Sequence, residues 1–106
     1  MKYLNFFTQD YKQKNTIKLS DGTNFVFILE YSDQNMGWYF GIEYGDTKVY
    51  NIRLCTISNI LSKWKNIFKF GISCVTDDYS EPWLLQDLEN GRVMLYLLEG
   101  DEINEI

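Results

Sequence analysis

Apolar residues in this chain recur at every second position over one short run after another, and turn-forming residues close each run. A period of two belongs to strands lying half-buried in a sheet, whose side chains point alternately to its two faces. "NTIKL" puts Ile17 and Leu19 on one face, and "SDGT" at 20–23 follows as a turn in which Gly22 can take positive φ. "NFVFILEY" at 24–31 is apolar on both faces, the pattern of a central strand with cover on each side. "SDQNMG" interrupts it. "WYFGIEY" then sets Trp38, Phe40, Ile42 and Tyr44 against Gly41 and Glu43. "GDT" at 45–47 is the strongest hairpin turn, and "KVYNIRL" beyond it is expected to turn Tyr50, Ile52 and Leu54 inward.

The period changes at "TISNILSKWKN". Ile57, Ile60, Leu61 and Trp64 are spaced i, i+3, i+4, i+7, which predicts one face of a two-turn helix. Thr56 or Ser58 would cap its start, and Lys63 and Lys65 suit the negative end of its dipole. Alternation returns in "IFKFGISCV", with Phe68, Phe70, Ile72 and Cys74 on one face. A long connection, "TDDYSEPWLLQDLENG", leads to a last strand, "RVMLYLL"; Pro82 and Gly91 bracket a helical turn around Trp83 to Leu88. The reading is an all-β, mainly antiparallel domain: a small barrel or curled sheet of about six strands, with one short helix between the fourth and fifth. Its core anchors are Trp38, Phe40, Ile42, Leu61, Trp64, Phe68, Phe70, Leu95 and Leu97.

A chain of 106 residues supports one core, so 1–106 is expected as a single domain, with an N-terminal arm at 1–14 and an acidic C-terminal tail at 99–106. Hydrophobic residues at 45% with a single proline are a globular composition. The net charge of −5 disfavours binding a nucleic-acid backbone, which requires a cationic face. The lysine clusters Lys12, Lys14, Lys18 and Lys63, Lys65, Lys69 read as solvated faces, or as a basic contact for an acidic partner. No leader or membrane-spanning run is read, so a cytosolic protein, or one assembled from the cytosol, is expected.

Chemistry has little to work with. Histidine is absent, which removes the commonest general base and the commonest metal ligand. Cys55 and Cys74 lack metal-ligand spacing and are expected as buried thiols without a disulfide. Asp77 with Asp78 and Asp101 with Glu102 are adjacent acids, not carboxylates converging from separate elements. "DDYSE" lacks the alternate spacing and central glycine of a calcium loop, and no phosphate-binding glycine loop occurs. No enzyme, cofactor or metal is expected.

In the order of its parts the chain resembles the phage baseplate plug family, small proteins of contractile phage tails. The resemblance runs from about Asn15 to Leu98. It is carried by "TIKLSDGTNFVFILEY", "GWYFGIEYGDTKVYNIRL", the leucine-centred "NILSKWK", "FKFGISCVTDD" and, most distinctively, "EPWLLQDLENGRVMLYLL". It implies a non-enzymatic virion protein, assembled in the host cytoplasm, that plugs or adapts the central channel of the baseplate. The implied partners are hub, tail tube and tape measure in three- or sixfold symmetry, with no specific nucleic acid and no membrane. An acidic lining suits a tube that passes DNA, because cationic walls would retain the phosphates.

Candidate partner contacts are the loop residues Met36, Tyr79 and Trp83 and the acids Glu99, Asp101, Glu102 and Glu105. Such a subunit should expose apolar area and an available strand edge. The competing reading is a separate β domain that binds a small molecule or carbohydrate through loop aromatics: Tyr39, Tyr79 and Trp83 are the candidates for stacking, and Trp83, Tyr79 and nearby acids would form a site in a concave pocket. An acidic mimic of nucleic acid would need carboxylates ranked along one face, and the acids here fall mostly in loops and at the end.

Overall fold

The computed structural model describes residues 2–4, 6–64, 67–76, 82 and 84–100. Lys65, Asp77, Asp78, Tyr79, Glu81, Trp83, Asp101, Glu102 and Glu105 lie outside the described residues. The domain is all-β and antiparallel. Its strands are β1 (Lys2–Leu4), β2 (Lys12–Lys18), β3 (Asn24–Ser32), β4 (Gly37–Tyr44), β5 (Thr47–Arg53), β6 (Phe70–Thr76) and β7 (Val93–Glu99). They form two open sheets, one ordered β2-β3-β4-β5 and the other β1-β7-β6; no closed barrel occurs among the described residues. Seven strands replace the expected six, because Lys2–Leu4 pairs with Leu95–Leu97 of β7. The first fourteen residues therefore contain β1 and the start of β2.

The inner faces of the two sheets share one core. Phe25 of β3 stacks on Phe70 of β6 with ring centroids 4.1 Å apart, and Tyr44 meets Phe70 edge-on at 5.3 Å. Trp38, Phe40, Ile42, Leu61, Phe68, Phe70, Leu95 and Leu97 are all buried in this cluster, and Trp64 packs half-buried against it. β3, β4 and β7 are the interior strands, and β3 and β7 among them are the most continuously apolar in sequence. The turns fall where expected, with Gly22 at φ 92° and Gly45 at φ 59°.

The two-turn helix is replaced by one 3-10 turn at Ser62–Trp64, between β5 and β6. A competing set of bonds overrides the helical period. Ile57 exchanges both backbone hydrogen bonds with Cys74, at 3.1 and 3.0 Å, and the Ile60 amide donates to the Ile72 carbonyl at 2.8 Å. The Asn59 side-chain oxygen accepts from the Leu61 amide at 3.0 Å and from the Ile72 amide at 3.1 Å. These bonds strap residues 57–61 along the β6 edge, so Thr56 and Ser58 cap no helix and Ile57 is left exposed.

Tyr50 does not point inward. Register shifts between Phe40 and Ile42, which pair with Ile52 and Val49 respectively. Asn51 takes up the extra length at φ 60°, a bulge that turns Tyr50 outward and packs Val49 against the core. Cys74 is buried, but Cys55 is exposed, just beyond the end of β5. The segment 84–91 folds as successive turns, with the buried Asp87 at its centre. Among the described residues no helix is long and apolar enough to cross a membrane.

Candidate protein interface

Strand alternation gives each sheet an outer face, and the two outer faces differ in kind. On the four-stranded sheet the cross-strand register aligns Lys12, Glu30, Tyr39 and Arg53 in one row and Thr16, Val26, Glu43 and Lys48 in another. Lys12 pairs with Glu30 at 3.4 Å, and the Arg53 guanidinium lies 5.6 Å over the Tyr39 ring. Tyr50 folds across Gly41, where an added Cβ would meet its ring at 2.9 Å, and donates its hydroxyl hydrogen to Glu43. That bond holds the Glu43 carboxyl below its ordinary range, with lesser help from Lys14 and Lys48, and pushes the Tyr50 hydroxyl up. This is a solvated, charged face.

Among the described residues the outer face of β1-β7-β6 carries no charge, and its Leu98 and Ser73 are buried. Tyr3 stands opposite Tyr96 with rings 5.3 Å apart, Ser73 is the partner of Tyr96 on the other side, and Val75 stands opposite Met94. The Tyr96 hydroxyl donates to the Met94 sulfur at 3.7 Å, so even its polar tip is turned within the patch. Tyr3 is 41% exposed and Val75 37%, with Met94 and Tyr96 half-buried. Phe6, 42% exposed, follows β1 and packs its ring against Phe7.

Three of the four sheet edges carry a device that discourages further pairing. β2 presents Lys12, Lys14 and Lys18, β5 is bent by the bulge at Asn51, and β6 is strapped by residues 57–61. The short β1, beside the uncharged face, is the fourth edge.

Met36 is 55% exposed at the tip of the β3–β4 turn, with φ 47°, an uncommon conformation for a side chain of its kind. Arg53 braces that tip by donating to the carbonyls of Asn35 and Met36, each at 3.1 Å. Gly37 lies beneath it, and an added Cβ there, 2.5 Å from the guanidinium, would push the Arg53 head aside. Glu99 is half-buried, and its carboxylate accepts from the Ser20 amide at 2.9 Å and the Ser20 hydroxyl at 2.7 Å. Met36 and Glu99 thus lie at different places, and the other contacts named from sequence lie outside the described residues.

Sequence reasoning did not single out Tyr3, Val75, Met94 and Tyr96 as a group. Their union depends on which strands pair, although the two-sided apolar run Val93–Leu98 carried the signal. A shallow groove of about 270 Å³ is lined by Tyr39, one of the aromatics named for ligand stacking, with Tyr31, Glu30, Ser32, Asn35 and Asn51; the other two, Tyr79 and Trp83, lie outside the described residues. Among the described residues no group of His, Cys, Asp and Glu is placed to hold a metal.

A family model described as "Cyanophage baseplate Pam3 plug gp18" matches residues 1–101. Comparison with curated proteins finds no match.

Proposed function

The chain belongs to this phage baseplate plug family, which implies a structural role in the virion tail, and on that premise we propose that it closes or adapts the central channel of the baseplate. Its neighbours on this reading are the hub, the tail tube and the tape measure. The observation that carries the reading, beside the family, is the uncharged face of Tyr3, Val75, Met94 and Tyr96, next to the short β1 edge. Soluble monomers seldom leave such a face of a sheet without charge, and partner proteins cover faces of this kind. The excess of acids suits a surface past which DNA phosphates must move without being held.

Peptide mass spectrometry on purified, nuclease-treated particles is the test. A few copies per particle, co-purifying with tails, is the expected result. Absence from intact particles, with the protein left in the soluble fraction, would overturn the proposal. A second arm replaces Tyr3 and Met94 with lysine. The variant should fold as the wild type does and yet be lost from particles; normal incorporation would remove this face from the interface.

A further inference from the structure

The charges of the chain are sorted along its length. Residues 77–106 hold nine of the fifteen acids and one of the ten bases, a net of −8, whereas residues 1–76 hold nine bases and six acids, a net of +3. The fold gathers that positive excess onto one surface. Lys12, Lys14 and Lys18 occupy alternate positions of β2, and Lys48 and Arg53 face the same way from β5. Against these five bases, the outer face of the four-stranded sheet holds two acids, Glu30 and Glu43. Both acids are engaged, Glu30 by Lys12 and Glu43 by Tyr50. Lys14, Lys18 and Lys48 are exposed and have no ion-pair partner among the described residues.

The same face offers apolar contact. Tyr50 is 46% exposed and Tyr39 half-buried, with the side chain of Ile28 beneath them. The last six residues, "DEINEI", match this composition in the opposite sense: Asp101, Glu102 and Glu105 alternate with Ile103 and Ile106, and no base is among them. We infer that the outer face of the β2–β5 sheet docks residues 101–106 of a second copy of the chain, so that copies associate head to tail.

Charge decides between this arrangement and a two-fold one. Pairing the lysine face with itself would set like charges against each other, while pairing it with the acidic end of another copy sets opposite charges together. A head-to-tail contact leaves one lysine face and one acidic segment unsatisfied in every open chain, so it repeats, ending in a ring where its rotation closes and in an open filament where it does not. The inference stands on the charge distribution and does not depend on where in a particle the protein works.

Sedimentation velocity of the full chain across a concentration series, at about 50 and about 500 mM NaCl, reads the association directly, since the higher salt shortens the screening length severalfold. Association that grows with concentration and weakens with salt is expected. The variants K14E/K18E and D101K/E102K should each raise the dissociation constant about tenfold or more while keeping the wild-type circular dichroism. Mixing the two variants should restore association, because each then meets an opposite charge. A monomer at every concentration, association indifferent to both reversals, or a mixture no tighter than either variant alone would overturn the inference. So would a lysine face that retains short duplex DNA in place of a second copy.

Discussion

Trp38 is held at both ends of its indole. The ring is fully buried and meets Tyr31 edge-on at 5.3 Å, while its N–H donates to the Leu84 carbonyl at 3.2 Å. Trp38→Ala should therefore destabilise the domain by about 3–5 kcal/mol in denaturant unfolding; a change well below one would mean the site refills without loss. The Glu43–Tyr50 bond makes a prediction of a different kind. Its carboxyl titrates below the ordinary range in the folded state, so what the bond contributes is present above that range and is lost as pH falls through the lowered pKa. Tyr50→Phe should move the Glu43 titration, followed by NMR, back up toward the ordinary carboxylate range. An unmoved titration would assign the shift to Lys14 and Lys48 instead.

Among the elements, the strap and the turn before β7 are each reinforced by one buried polar side chain. Asn59 is buried and serves two amides, and it also occupies the space that a Cβ on Gly71 would need. Asn59→Ala leaves those amides without their acceptor, at a cost of about 1–3 kcal/mol each. Hydrogen exchange at the Ile72 amide should speed up well ahead of exchange in β3; equal protection would show that the strap stays in place by its backbone bonds. Asp87 is fully buried, accepts from the Leu84 amide at 2.8 Å and takes a forked pair from Arg92 at 2.8 and 2.6 Å. Asp87→Ala removes the forked acceptor from a mostly buried guanidinium and should cost about 3–5 kcal/mol by chemical denaturation. A neutral substitution would show that Arg92 finds water or another partner.

These same elements mark where the sequence could and could not be read. Period-two runs sufficed for Trp38, Phe40 and Ile42, and for Phe68, Phe70, Ile72 and Cys74, because positions facing the space between the two sheets must be apolar. The helical spacing of Ile57, Ile60, Leu61 and Trp64 misled, since Asn59 takes up the nearby Leu61 amide and the Ile72 amide thirteen residues away. Asn51 did carry a local sign of its bulge, being a weak strand former that tolerates positive φ. Asp87 with Arg92 carried none, as five residues is no standard spacing for an ion pair, and the pairing of β1 with β7 is a contact between the two ends of the chain. The uncharged face was half legible: β7 declared itself two-sided, but its neighbours did not.

Taken as a whole, the molecule is two sheets that cannot part without opening one aromatic cluster. Phe25 with Phe70 and Tyr44 with Phe70 cross from one sheet to the other, and the radius of gyration is 13.0 Å, that of a close-packed chain of this length. Denaturation followed by indole fluorescence and by far-ultraviolet circular dichroism should then give coincident single transitions. Separate midpoints would mean that one sheet survives the loss of the other.

The Ser20–Glu99 latch joins positions 79 residues apart and fixes where the chain leaves β7. β7 is the middle strand of its sheet, matched to β6 along its full length and to β1 at Leu95–Leu97. A pull on the chain beyond Gly100, directed along β7, would load both ladders in shear, with the latch as the first bond to feel it. Bonds loaded in shear share the force, whereas a strand peeled from an edge gives up its bonds one at a time. The mechanical strength of the domain is therefore directional, greatest along its own last strand.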